Sequence, residues 1–159
     1  MQTTKRDGSE ERRILIGMIV DKQVLGQVSS KWETGLFKSS WSNLIGDWCC
    51  DYFNEYEDAP KQEIESLFES WASGNVDEDT SGLVERFLSD LSDEYEELSN
   101  SSNSAYIVDL AAKHFNKVKL KKLASSITGD ITGGELDKAL KRVNDYGQIE
   151  IGVGSGIDP

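Results

Sequence analysis

The single histidine, His114, and the adjacent cysteines, Cys49 and Cys50, are the side chains best suited to nucleophilic or metal chemistry. One histidine in a lysine-rich segment can complete neither a zinc site nor a Ser-His-Asp arrangement by itself. Neighbouring residues of a helix point about 100° apart, so the two cysteines cannot form a disulfide without distorting the backbone. We therefore expect His114 to be exposed or partly packed, and the cysteines to be reduced thiols in the core.

Two further stretches resemble ligand-binding loops only in part. The segment "DEDTSG", residues 77–82, matches the first half of a calcium loop, but Leu88 stands where that loop needs a bidentate carboxylate. The segment "GVGSG", residues 152–156, lacks the following helix whose N-terminal amides would bind a phosphate. Carboxylate pairs are expected by chance on so acidic a surface and do not indicate acid–base catalysis. The sequence therefore predicts no catalytic residue, metal site or bound cofactor, and the chain itself is not expected to be an enzyme.

The charge of the chain is distributed unevenly. The net charge is −12, and from Asp47 to Glu97 there are seventeen acidic residues against two basic ones. Residues 113–142 contain eight basic and three acidic residues. An acidic body repels the phosphate backbone, which argues against direct nucleic-acid binding by the first hundred residues. The lysines of residues 113–122 are expected to form a solvated face or to pair with the acidic body of a neighbour.

Length and hydrophobicity favour one domain, or one domain with an appendage, in a chain of 159 residues. The longest apolar run, "ILIGMIV", has seven residues, whereas a membrane span needs roughly 18. The N-terminus has no signal pattern of basic, apolar and small residues. We expect a cytoplasmic protein without a membrane partner.

Apolar side chains recur at helical spacing between residues 10 and 101. Ser9 is expected to cap the first helix, and a second apolar patch at Val24, Leu25 and Val28 adds a short one. The strongest periodicity predicts a helix over about residues 40–57 with one wide aromatic face. That face comprises Trp41, Leu44, Ile45, Trp48, Tyr52, Phe53 and Tyr56. We expect a compact helical bundle with an aromatic-rich core and an acidic surface.

Two more amphipathic helices are predicted after the polar stretch 99–104, at about residues 104–127 and 134–146. Thr132 and Glu135 have the spacing of a capping box, which favours a new helix there. A short glycine-containing turn joins the two helices as an antiparallel hairpin. Such a hairpin cannot hide both apolar stripes from water, so it must dock on the bundle or on another copy. The expected oligomer interface consists of Ile107, Ala111, Phe115, Val118, Leu136, Leu140 and Val143.

The sequence thus predicts an all-α fold with four segments. A disordered N-terminus is expected over residues 1–9, the acidic bundle over 10–101, the helical hairpin over 102–146, and a flexible linker over 147–159.

The order of these elements resembles the N-terminal domain of DnaB-type replicative DNA helicases, as a divergent phage-like member. The segments that carry the resemblance are "RRILIGMIVDKQVLGQV" (12–28), "LFKSSWSNLIGDW" (36–48), "SAYIVDLAAKHFNKVKLKKLASSI" (104–127) and "ELDKALKRVNDY" (135–146). The chain departs from the family at Ser42 and Asn43, where a His-Arg pair is common, and in lacking a further helix that links the domain to the motor.

The resemblance implies a non-catalytic domain that pairs through its hairpins and forms a collar on a hexameric ring. It also implies a docking surface for a primase or a helicase loader. Residues 147–159 would then lead to an ATPase domain, and ATP and Mg²⁺ would bind only in that missing motor. Two alternatives remain: an acidic protein that mimics DNA and blocks a DNA-binding enzyme, and a helical adaptor unrelated to replication.

Overall fold

A computed structural model describes residues 2–98, 103–147 and 149 of the chain. The described residues form helices and no strands, which confirms the predicted all-α fold class. The helices are α1 Gln2–Val20, α2 Lys22–Ser29, α3 Ser40–Tyr56, a short 3₁₀ helix Lys61–Glu63, α4 Ile64–Ala72, α5 Glu78–Leu98, α6 Ser104–Thr132 and α7 Leu136–Asp145.

The first helix begins earlier than the sequence pattern indicated. It begins at Gln2, so Ser9 lies inside α1 and the predicted disordered N-terminus is helical from its second residue. Nothing in this segment breaks a helix, because it contains no proline and Gly8 costs only about 1 kcal/mol relative to alanine. The short second helix predicted from Val24, Leu25 and Val28 is present as α2. It is capped by the Asp21 carboxylate, which accepts hydrogen bonds from the backbone amides of Gln23 and Val24.

The hydrophobic core lies where α1, α2, α3 and α6 meet. Its largest fully buried side chains include Phe115, Ile14, Leu15, Met18, Leu25, Leu36 and Ile45. The first half of α6 is therefore part of the bundle, although the sequence placed a segment boundary at residue 102. This arrangement makes the core mostly aliphatic, with Phe37 and Phe115 as its buried phenylalanines.

The prediction of an aromatic-rich core was wrong for α3. Its buried face consists of Ser42, Ile45, Gly46, Cys49 and Cys50. The aromatic residues of the predicted stripe are half-buried, and Tyr56 is exposed. Gly46 explains the difference, because the Trp32 indole lies 2.6 Å from the place where a Cβ would stand. The small residues of α3 therefore allow Trp32 to pack against this face.

Both cysteines are free and buried, as expected. Burial, together with the charges of Asp47 and Asp51, raises the pKa of Cys50 to about 12. Burial and the neighbouring Cys50 raise the pKa of Cys49 well above its ordinary value. Because the thiolate is the reactive form, these thiols are inert near neutral pH.

The loop before α3 is held by one side chain, Asn43. Its Oδ1 accepts hydrogen bonds from the backbone amides of Gly35 and Phe37, at 2.9 and 3.1 Å. Its Nδ2 donates to the carbonyl oxygens of Phe37 and Ser39, at 2.8 and 3.1 Å. An asparagine amide can make two donor and at least two acceptor bonds, and here both groups are used twice. The loop conformation that inserts Phe37 into the core follows from these bonds.

A buried pair of polar side chains, Glu11 and His114, joins this loop to α1 and α6. Glu11 of α1 accepts hydrogen bonds from the backbone amides of Lys38 (2.5 Å) and Ser39 (3.4 Å), and its Oε2 lies 2.9 Å from His114 Nε2. Burial alone would raise the pKa of Glu11, but the hydrogen bonds from His114 and Lys38 and the attraction of His114 outweigh it and lower the pKa below 4.5. The expectation of an exposed or partly packed His114 was wrong, since its side chain is buried beside this distant partner.

We predict that Glu11→Gln lowers the free energy of unfolding at neutral pH by roughly 1.5–3 kcal/mol, because an amide replaces a charged acceptor of three hydrogen bonds. The folded-state pKa of Glu11 is lowered, so its contribution is complete above its ordinary value of 4.5 and is lost as the pH falls through the folded-state pKa. Urea denaturation at several pH values should show the two proteins converging in acid. Glu10→Gln, which removes one charge at the neighbouring position, is the control, and equal stability of Glu11→Gln and wild type at neutral pH would contradict the prediction.

Candidate interaction surface

The hairpin of α6 and α7 extends beyond the bundle. The 29 residues of α6 make a helix about 44 Å long, of which the first half packs on α1 and α2 and the second half pairs with α7. Gly134 forms the turn with a positive φ of 78°, and the Glu135 amide donates to the Asp130 carbonyl oxygen at 2.7 Å. The predicted capping box is not formed, because the Thr132 hydroxyl donates instead to the Thr128 carbonyl oxygen. The turn is accordingly shorter than predicted, and α6 continues to Thr132.

One ion pair fixes the rotation of α7 on α6. Arg142 Nε donates to Asp130 Oδ2 at 2.5 Å, and the Asp130 side chain is largely buried. The hydrogen bond to Asp130 and its negative charge raise the pKa of Arg142 above its ordinary value. Ala139, three residues before Arg142, is buried on the side of α7 that carries Arg142. With Ala139 and Arg142 turned toward α6, the other apolar side chains of α7 lie beside this contact and remain more than half exposed.

These exposed side chains form a continuous stripe, which we call the α7 apolar face: Leu136, Leu140 and Val143. They are 61%, 55% and 55% exposed, and their spacing of four and three residues places them on one side of the helix. Leu120 and Ile131 of α6 are also at least half exposed. Of the nine large hydrophobic side chains that are exposed among the described residues, five thus lie in the hairpin beyond residue 119. Exposed apolar side chains concentrated in this way make the hairpin the candidate contact surface of the described residues.

The structure divides the seven predicted interface residues into two groups. Ile107, Ala111 and Phe115 are buried in the chain's own core, and Val118 packs partly against that core. Their face of α6 packs on α1 and α2 of the same chain. Burial of these side chains within one chain does not carry the entropy cost of bringing two molecules together. Ile107, Ala111 and Phe115 are therefore unavailable to a second copy in this fold, which corrects the prediction for these three, and Val118 is covered in part. The other three are the α7 apolar face.

Sequence reasoning missed two members of the exposed hairpin surface. Leu120 was not included in the predicted interface, and Ile131 fell in the predicted turn between about residues 127 and 134. Their spacing with Ile127, at seven and then four residues, is helical and continues one face to the end of α6. Gly129 and the threonines of this stretch concealed the signal. The structure shows Gly129 inside α6, in open space on its side-chain side.

The chain returns along α6 after α7. The amide of Asn116 accepts a hydrogen bond from the Ile149 nitrogen at 2.7 Å and donates one to the Ile149 oxygen at 2.9 Å. Lys119 donates to the Gly147 carbonyl oxygen at 3.0 Å and lies over the Tyr146 ring. Ile149 itself is buried. The predicted flexible linker thus includes one anchored residue, and its residues 148 and 150–159 lie outside the described part.

Within the described ranges, no group of three or more His, Cys, Asp or Glu side chains is arranged to hold a metal ion. None of the helices described is both long and apolar enough to span a membrane. No family model, curated protein or solved structure matches the chain.

The turn of the hairpin gives a local prediction. Gly134→Ala should destabilise the packing of α7 on α6 by about 1–2 kcal/mol, because an L-residue is strained at the positive φ of this position. Gly133→Ala is the matched control, since Gly133 has a φ of −83° that alanine adopts readily. Amide hydrogen exchange of α7 residues measures the effect. Equal protection of α7 in the two variants would contradict the assignment of the turn.

Proposed function

We propose that this chain is a non-catalytic oligomerisation and partner-docking domain of a replicative DNA helicase of the DnaB type. The observation that carries the proposal is the α7 apolar face, three aliphatic side chains more than half exposed on a helix at the end of the molecule. In this role the hairpins of two copies pair, the pairs build a collar, and the collar presents a surface to a primase or loader in the cytoplasm.

The free energy of such pairing requires the wider hairpin surface. Fully burying a Leu or Val side chain is worth about 1.5–3 kcal/mol, so a half-exposed one contributes about 1 kcal/mol. The three residues of α7 on each of two copies give on the order of 6 kcal/mol, against an association cost of about 4–15 kcal/mol. Adding Ile131 at the end of α6 raises this to about 8 kcal/mol. The pairing surface therefore includes Ile131, and a standard interface would bury about 800 Å² per copy there.

The charge of the hairpin tip is compatible with contact between two identical surfaces. Residues 135–145 contain three acidic and three basic side chains. Within a helical turn, Lys138 pairs with Glu135 at 3.3 Å and Lys141 with Asp145 at 3.0 Å. Two neutral tips do not repel each other, whereas two acidic bodies with a net charge far from zero would. The hairpin tip is thus better suited to self-pairing than the bundle surface.

The helicase assignment rests on the resemblance and on the order of the helices. The segment 12–28 forms the end of α1, the break at Asp21 and α2, and the segments 104–127 and 135–146 form the hairpin. This order agrees with the one that the resemblance implies. The family's His-Arg positions hold Ser42 and Asn43 here, and both serve the packing and loop structure of the bundle.

We predict that Leu140→Glu combined with Val143→Glu converts the assembly to monomers while leaving the helices intact, because two carboxylates would be buried at the contact without partners. Light scattering after gel filtration gives the mass, and circular dichroism checks the helix content. Gln23→Glu combined with Gln27→Glu adds the same charge on exposed positions of α2 and should leave the mass unchanged.

Retention of the oligomeric mass by the α7 variant would overturn the proposed role of this face. A wild-type chain that is monomeric at all concentrations would favour the acidic mimic or the adaptor. Truncation before α6 is not a usable test, because it removes Phe115 and Ala111 from the core.

A further inference from the structure

A large acidic cleft lies between α1, α4 and α5, beside the 3₁₀ helix. Its volume is about 1240 Å³, and its floor is apolar, with Ile16, Ile19, Phe68 and Leu88 among the lining residues. Lys61 is the single cation among the described lining residues. The carboxylates of the lining are Asp58, Glu63, Glu65, Glu69, Glu85 and Glu96. An apolar floor inside an acidic rim fits a basic amphipathic helix.

The chain carries one surface with the complementary properties. Lys113, Lys117 and Lys121 lie four residues apart on the exposed side of α6, around the half-exposed Leu120 and beside Ala124. We call this set the lysine face. No acidic residue occurs in the chain between Asp109 and Asp130, so within α6 Asp109, one turn before Lys113, is the carboxylate nearest to this face.

The two surfaces match in length and in charge spacing. From Lys113 to Lys121 the helix rises about 12 Å, and the nine residues of α4 span about 14 Å. Glu65 and Glu69 are one helical turn apart on α4, and successive lysines of the lysine face are one turn apart on α6. The side chains are therefore spaced about 6 Å apart along each helix, so the two sets of charges match in spacing. Leu120, between the lysines, stands where an apolar side chain would meet the floor of the cleft.

One chain cannot bring these surfaces together. They share no lining residue. The opposite side of α6, with Ala111 and Phe115, is packed into the core, so the lysine face is turned away from the bundle. We propose that the lysine face of one copy docks in the acidic cleft of a second copy. The contact is heterologous, so its repetition closes into a ring or continues as a filament.

This contact uses no residue of the α7 apolar face, and it therefore goes beyond the proposed hairpin pairing and does not depend on it. Each copy has a net charge of −12, so two copies repel each other in most orientations. The lysine face is the region where approach to an acidic surface is favourable. Complementary charge of this kind fixes orientation and register more than it adds affinity.

A charge exchange tests the proposal. One variant, Lys113→Glu with Lys121→Glu, makes the lysine face acidic; the other, Glu65→Lys with Glu69→Lys, makes the α4 side of the cleft rim basic. Sedimentation velocity of the full chain should show each variant associating at least about tenfold more weakly than wild type, because each contact now joins like charges. An equimolar mixture should recover association, since the acidic face of one variant fits the basic cleft of the other.

The combination of all four substitutions in one chain keeps the net charge of −12 and should also restore association. Lys22→Glu with Lys31→Glu, and Glu33→Lys with Glu55→Lys, make the same charge changes at exposed positions outside both surfaces and outside α7, and are the controls. Raising the ionic strength from 0.1 M to 1 M, which shortens the screening length from about 10 Å to about 3 Å, should weaken the wild-type contact selectively.

The proposal is overturned if either exchanged variant keeps the wild-type association, or if the mixture and the fourfold variant stay as weak as the separate variants. The α7 double variant keeps this result distinct from the proposed function. If α7 substitution lowers the mass and the charge exchanges do not, hairpin pairing stands and the cleft contact fails. If the charge exchanges act and the α7 substitution does not, the reverse holds.

Discussion

The fold depends on a buried carboxylate that three separate segments share. Glu11 of α1 receives two backbone amides of the loop before α3 and the imidazole of His114 on α6. Taking a carboxylate out of water is costly, and only this full set of partners offsets the cost. If one segment moves away, the others keep a buried charge with too few partners. The pair therefore fixes position and rotation of α6 relative to α1, which aliphatic packing alone specifies only loosely.

The rotation of α6 decides which surfaces the molecule offers to others. With His114 turned inward beside Glu11, Ala111 and Phe115 enter the core. The opposite side then exposes the lysine face, and a third side, with Asp130, receives α7. Because α7 is itself oriented by Asp130 and Arg142, its apolar face is exposed as a consequence of the same arrangement. Two polar pairs on one long helix, one at His114 in its first half and one at Asp130 near its end, thus determine the positions of both candidate contact surfaces.

Signals from residues close together in the sequence predicted most of the helices. Contacts between residues far apart in the chain could not be predicted in this way. The apolar patch of α2 and the helical period of α3 depend on residues close together in the chain, so both helices were predicted, and the bounds of α3 agree within a few residues. Glu11, the partner of His114, lies 103 residues away in the chain, and no spacing of residues in the sequence predicts this contact. The buried face of α3 likewise depends on Trp32 closing over Gly46, which periodicity alone cannot show. Of the predicted interface residues, only those of α7 lie well outside the core. Amphipathicity shows that an apolar stripe must be covered, but it does not show whether the same chain or a second copy covers it.

The apolar and charged surfaces have different physical consequences for assembly. Apolar contact supplies most of the free energy of association, is insensitive to orientation and is not weakened by salt. Charged contact contributes little net free energy but penalises wrong arrangements strongly. A chain that placed its lysines on the α7 apolar face would make two identical tips repel each other. Because the tip is neutral and the lysines of residues 113–122 lie nearer the bundle, self-pairing at the tip and charge-selected contact along α6 are compatible in one assembly.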